Sequence, residues 1–266
     1  MINKNVIFDD GWILEAQNKS SNNSWARAVM DTFEKAGRTY LETLRKWYNG
    51  FPHDAKEKKD LKIKLEDLND VAHLGGVNEL SWFELIKHFN WQIMPVSANV
   101  RHPDFYISHP SDFYCEVSTL NLSGAETSGI GGLINHDLAA NRILRKAIDE
   151  KADQLTYAEE KRHPALLAVF DYSSCSGLGT QRYSAIADTL LMFPDLPSAL
   201  SAFMYVDKGV NEEGKIIIYG ERSAVYHNPC ASFSLPFDLF DMFPQFYVEL
   251  KESKLIHNLH STWILK

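Results

Sequence analysis

No apolar run in this 266-residue chain approaches the ~20 residues that a membrane-spanning helix needs. The polar start Met1-Ile2-Asn3-Lys4-Asn5 lacks the hydrophobic core of a secretory signal peptide. Cysteine is scarce: Cys115, Cys175 and Cys230 are odd in number and far apart. That argues against a disulfide framework and a cysteine-based zinc motif, and it fits reduced thiols in a cytoplasmic protein. A surplus of positive charge is missing too. With 27 Lys and Arg against 35 Asp and Glu, the formal net charge is −8. A protein that coats nucleic acid is usually basic, although a local basic groove can exist on an acidic one. Internal repeats and low-complexity tracts are absent. What is present is 45% hydrophobic and 23% charged residues, an ordinary globular balance with enough apolar surface for one elaborated domain or two small ones.

Residues 1–70 read as a helical N-terminal extension. Asn23-Ser24 can cap a helix in which Val29, Phe33, Ala36, Tyr40 and Leu44 recur at helical spacing; Asn49-Gly50 and Pro52 stop it, unless Gly37 breaks it earlier. The stretch 54–70 carries Lys56, Lys58, Lys59, Lys62 and Lys64 among acids, which suits a solvated face better than a phosphate contact. From Val71 the pattern changes. A helix over 78–89, a strand over 91–97, a hairpin over 103–120, a Gly-rich loop, a long helix over 137–160 and the apolar strand Ala165–Phe170 follow in order, and 183–250 adds a helix and further strands, among them 215–219. This order implies an α/β fold with a central mixed β-sheet flanked by helices, spanning 71–266.

The chemistry concentrates in the hairpin. His109-Pro110-Ser111-Asp112 is turn material between two alternating runs, and a hairpin folded symmetrically about Pro110 sets Asp104 opposite Glu116. Two facing carboxylates repel and weaken a sheet unless a hard divalent cation lies between them. Taken singly, Asp104 is an ordinary Pro-Asp turn residue and Glu116 a water-facing residue of an edge strand; the opposed register is what joins them. Glu79 shares a helix face with Trp82, Phe83 and Ile86, and either complements the positive end of the helix dipole or reaches the same cation. Glu84, near Lys87 and His88, reads as solvent-exposed.

Residues 77–171, with Glu79 on the first helix, Pro103-Asp104, Glu116-Val117-Ser118 and the helix carrying Lys151-Ala152-Asp153-Gln154, resemble the PD-(D/E)XK, or restriction-endonuclease-like, nuclease superfamily. The resemblance implies a restriction-endonuclease-like core and Mg²⁺- or Mn²⁺-dependent hydrolysis of phosphodiester bonds, with DNA as the default nucleic-acid substrate. It also implies metal ligation by Asp104, Glu116 and the Val117 carbonyl, with Glu79 completing the set directly or through water. The family's lysine, two residues after the second carboxylate, is Ser118 here. Some members carry it on the following helix, where Lys151 shares a face with Leu144, Ala147, Ile148 and Leu155. Lys151 either points at the carboxylates or lays its stem on apolar surface and sends its ammonium to water. Ser118 and Gln154 fall to substrate binding. Many such nucleases pair as homodimers to cut both strands. Loss of the motif lysine also allows a non-catalytic module that keeps the fold to bind protein or nucleic acid.

Other features carry less. Gly129, Gly131 and Gly132 lack the Gly-Lys-Ser/Thr ending of a phosphate loop. His257 and His260 share a helix face without a further ligand, and Ser173, Ser174 and Ser176 lack a nucleophile-elbow pattern. The ring-rich segment from Phe233 to Tyr247 contains no Lys or Arg and suits core packing or a partner-facing patch.

Overall fold

A computed structural model describes residues 6–19, 34–52, 55–96, 100–120, 136–171, 196–248, 253–256 and 262–264. The chain divides into two compact units: residues 1–89 with 210–217 and 264–266, and residues 90–209 with 218–263.

Among the described residues the first unit contains the helices α1 (Asp10–Lys19), α2 (Glu34–Gly50), α3 (Ala55–Leu65) and α4 (Asp70–His88). Tyr40, Leu44, Trp47 and Phe51 repeat along α2 and its exit at steps of three or four and are fully buried. Gly37 does not break this helix, which ends at Asn49-Gly50 as its sequence predicts. Asn23, Ser24, Val29 and Phe33 lie outside the described residues. The lysine-rich stretch is helical as α3, and Lys62 pairs with Glu66 at 2.6 Å.

Helix α4 starts eight residues before the expected position, and its cap is Asn69, whose side chain accepts the Val71 N–H at 2.9 Å. Asn78, expected to cap, is buried in mid-helix. The cause is packing. At Gly76 an added Cβ would lie 3.1 Å from Leu65, so α3 and α4 approach closely there, and His73 Nδ1 donates to the Leu65 carbonyl at 2.6 Å. The helical unit therefore extends to Phe89, past the boundary at residue 70 that composition suggests. Glu84 is buried rather than solvent-exposed, because Lys87, one turn on, covers it at 2.8 Å.

The second unit carries most of a ten-stranded mixed sheet whose main path runs β1 (Gln92–Pro95), β2 (Phe105–His109), β3 (Phe113–Leu120), β4 (Ala165–Asp171), β5 (Ala202–Val210), β7 (Ala224–His227), β8 (Gln245–Val248) and β9 (Ser253–Ile256). The short strands β6 (Ile216–Tyr219) and β10 (Thr262–Ile264) lie off that path. Strands β1, β2 and β3 are antiparallel neighbours, whereas β3, β4 and β5 run parallel. A parallel step needs a crossover. Between β3 and β4 it contains α5 (His136–Arg145) and α6 (Ala152–Glu160).

The register puts Ala165, Leu167 and Val169 of β4 beside Phe203 and Tyr205 of β5, and these pack against Ile143, Leu144, Ala147, Leu155 and Ala158 of the crossover. Across β5, β7 and β8 the rings of Phe203, Tyr226 and Phe246 stack at 4.6 and 4.9 Å. The ring-rich segment after Phe233 behaves as core: Leu235, Leu239, Phe240, Phe243 and Phe246 are buried.

The crossover helix is not continuous over 137–160. A π turn, Lys146–Glu150, separates α5 from α6, with the Lys151 N–H donating to the Lys146 carbonyl at 2.9 Å. The wider turn re-phases everything after it. Ile148, expected on the apolar stripe, is consequently 42% exposed. The Gly-rich loop, the serine cluster, His257, His260 and residues 183–195 of the segment expected to add a helix fall outside the described residues. No helix among the described residues is long and apolar enough to cross a membrane.

His227, on β7, is buried, stacks on Phe237 at 4.6 Å and hydrogen-bonds Gln245 Oε1 at 2.7 Å. Burial lowers its pKa below the ordinary 6.5, and the Gln245 bond opposes the shift only in part. The unfolded chain therefore takes up a proton near pH 6.5 while the folded chain still resists it. Stability from neutral His227 is complete above that pH and declines as pH falls below it. Urea denaturation at pH 7.5 and pH 5.5 should show a smaller loss on acidification for His227→Gln than for wild type.

Candidate active site

The site grows from the end of the β2–β3 ladder, where Phe105 pairs with Cys115, Tyr106 with Tyr114 and Ile107 with Phe113. Carried one residue further, this register sets Asp104 opposite Glu116 on one face of the sheet, as the hairpin symmetry predicts. One more step brings Pro103 opposite Val117, and a proline has no N–H to continue the ladder. Asp104 takes over: its Oδ2 accepts the Val117 N–H at 2.8 Å. The N–H and C=O of one strand residue point to the same neighbour, so the Val117 carbonyl is directed to this side as well.

Glu116 is 3% exposed and sits on an internal strand, between β2 and β4. The water-facing edge-strand reading is thereby excluded. Lys151 Nζ lies 2.5 Å from Glu116 Oε1, with the lysine side chain 22% exposed. The lysine is turned inward to a carboxylate, and the π turn that immediately precedes it helps set that direction. A buried ionised carboxylate requires such a partner, because desolvation of an isolated charge is prohibitive. Both acids act on Cys115, whose thiol pKa is pushed well up, first by burial and then by the charges of Asp104 and Glu116. Two negative side chains thus converge on one stretch of β3.

Gln154 lies one turn beyond Lys151 on α6, buried with Leu155 and Ala158. Its Oε1 is buried and accepts no hydrogen bond. Leaving a carbonyl oxygen in that state costs about 1–3 kcal/mol, so the position calls for a donor such as an ordered water or a bound molecule. Ser118 follows Glu116 on the same face of β3, also buried, opposite Val169 of β4.

The donor chemistry is of the kind a hard divalent cation takes: Asp104, Glu116 and the Val117 carbonyl would offer oxygen ligands, the type that suits Mg²⁺ or Mn²⁺. Among the described residues no group of three or more His, Cys, Asp and Glu side chains could hold a metal ion, so the remaining positions would belong to water. Glu79 belongs to the first unit, where its Oε1 meets Lys64 Nζ at 2.5 Å. That pair, not noticed in the sequence, is a reason for an acid at the border of the buried face of α4.

Two further groups were missed by sequence reasoning. Tyr106 and Tyr114 form the rung beside Asp104 and Glu116, with ring centres 5.0 Å apart; the hairpin symmetry that paired the acids pairs these rings too. Asp171 and Asp207 end the parallel run as register partners and are both buried. The Tyr205 hydroxyl donates to Asp171, and Arg222 Nε lies 3.4 Å from Asp207 Oδ2. Only an acid closing each apolar strand marked that pair in the sequence. No family model, no curated protein and no solved structure matches the chain.

Removing Lys151 leaves Glu116 buried without this partner. Lys151→Met should destabilise the fold by about 2 kcal/mol, less than for a fully buried pair because the lysine is partly exposed. Lys151→Met combined with Glu116→Gln should recover part of the loss. Chemical denaturation of the three variants measures both effects.

Proposed function

We propose that this protein is a metal-dependent phosphodiesterase with a restriction-endonuclease-like core, acting on nucleic acid in the cytoplasm. The observation that carries the reading is that Lys151 reaches Glu116 from the crossover while Asp104 is held at the N–H of Val117, the next residue of β3. DNA as the substrate rests on the family resemblance alone. The proposed site is drawn from the second unit only; Glu79 lies in the first, beside Lys64.

A Mg²⁺ or Mn²⁺ ion held by Asp104, Glu116 and the Val117 carbonyl would supply a lowered pKa for bound water and neutralise charge on the scissile phosphate. The residues of the chain do the positioning. The Val117 N–H holds the Asp104 carboxylate in its rotamer, so one ligand is oriented before anything binds. Lys151, already at Glu116, has its ammonium placed to donate to an attacking water or to a phosphoryl oxygen gaining charge. Gln154 Oε1 would accept a hydrogen bond from the attacking water and so help to orient it. Ser118 offers a small hydroxyl where the family's usual lysine would stand.

One observation favours a rival. The Lys151–Glu116 pair already matches the buried charge of Glu116 without a cation, as expected of a nuclease fold kept only for binding. Calorimetric titration of Mg²⁺ and Mn²⁺ separates the two readings: binding by wild type that Asp104→Ala lacks is the enzymatic outcome, and silence in both proteins is the binding-module outcome. Labelled DNA, RNA and nucleotides assayed side by side then identify the phosphoester. Lys151→Ala should lower kcat by about 100-fold while Mg²⁺ affinity changes little.

A further inference from the structure

Beside the two carboxylates lies a cluster of rings. Tyr106 and Tyr114 are 5.0 Å apart, Tyr114 meets Tyr157 edge-on at 5.6 Å, and His163 stands 5.7 and 5.8 Å from Tyr106 and Tyr114. His102 extends the row, 6.2 Å from Tyr157. All five are half-buried, unlike the core rings Phe203 and Tyr226 at 1% exposure, so each retains surface open to solvent. Lys161, exposed at the end of α6, holds its ammonium 5.3 Å from the centre of the Tyr157 ring, and exposed Arg162 follows it. Aromatic surface with cations at its margin is the arrangement that accepts unstacked bases and tracks the phosphates between them. The segment at 233–247 lacks those cations, and its rings Phe240, Phe243 and Phe246 are buried; this cluster has the cations and is half-buried.

Its placement is equally informative. On one face of the β2–β3 ladder the rung Tyr106–Tyr114 adjoins the position of Asp104 and Glu116, roughly 6.5 Å along the strand. On α6, Tyr157 follows Gln154 by one turn. A base resting on the rings thus leaves its neighbouring phosphate at the carboxylates. In a duplex the bases are paired and stacked on one another, and their faces are closed to such a platform.

Building on the proposed phosphodiesterase, we infer that Tyr106, Tyr114 and Tyr157, with His102 and His163, form a stacking platform that selects single-stranded nucleic acid and seats an unpaired base next to the cleavage site. The test is binding of a fluorescent oligothymidylate to the full chain by anisotropy, in EDTA and then in Ca²⁺, so that no cleavage is needed. The competitors are a duplex of the same length and an abasic strand with the same number of phosphates. The strand bearing bases should bind about tenfold more tightly than either competitor. Tyr157→Leu and Tyr106→Leu should each remove most of that preference, while Lys161→Ala should weaken all three ligands alike and flatten the salt dependence.

Equal affinity of wild type for the abasic strand, or tighter binding of the duplex, overturns the inference without relying on any variant. So does a second copy of the chain on the rings, read as a dimer in sedimentation that Tyr157→Leu dissolves. The two readings fail separately. Base-dependent binding without cleavage in Mg²⁺ removes the phosphodiesterase and leaves the platform; cleavage indifferent to bases does the reverse.

Discussion

Glu116 is an anion on the helix-covered face of a sheet, and water that would otherwise solvate it has been displaced by α5 and α6. Charge in that position is tolerated only through close partners, and among the described residues of the crossover Lys151 reaches it. Several features of the second unit serve this contact. The parallel step from β3 to β4 demands a crossover, the crossover covers the face, and the π turn interrupts it immediately before Lys151. A regular helix would carry Ile148 inward; the wider turn leaves it exposed and brings the ammonium to the carboxylate.

The second carboxylate is held by a different device. Pro103 has no N–H to give the Val117 carbonyl, and the Val117 N–H goes to the Asp104 carboxylate in place of a ladder carbonyl. Proline and aspartate are thus a working pair: one leaves the Val117 carbonyl without a ladder donor, the other accepts the Val117 N–H. The carbonyl on the same side remains directed toward the acids. The interruption of β-pairing is confined to the end of the β2–β3 ladder, and β3 continues in register with β4 through Leu120.

Around this centre the chain divides polar groups by how well they are matched. Glu79 with Lys64, Glu84 with Lys87, Asp171 with Tyr205 and Asp207 with Arg222 each have a close neighbour of suitable charge or hydrogen-bonding type. Gln154 Oε1 does not. Trp82 Nε1 and Arg222 Nε likewise have no hydrogen-bond partner, and native interiors tolerate few such atoms. The half-buried tyrosines beside Gln154 follow the same logic for apolar surface, since rings that could have been covered are left partly open.

Local pattern was enough to reveal the α/β order, the β2–β3 hairpin and its register, the end of α2 at Asn49-Gly50 and the opposition of Asp104 to Glu116, because each depends on near neighbours or on symmetry about a turn. The true start of α4 was not legible, since Asn69 and Asn78 are equally good caps and only the approach of Gly76 to Leu65 discriminates. The fates of Glu79 and Glu84 turned on partners from another helix or another turn. The π turn has no composition of its own; it follows from fitting α5 and α6 onto the sheet. Which acids could face one another was written in the chain, by alternation and turn chemistry. Which cation would reach them, and which polar oxygen would be left unsatisfied, depended on segments some 35 residues apart being packed together, and period and propensity carry no information about that.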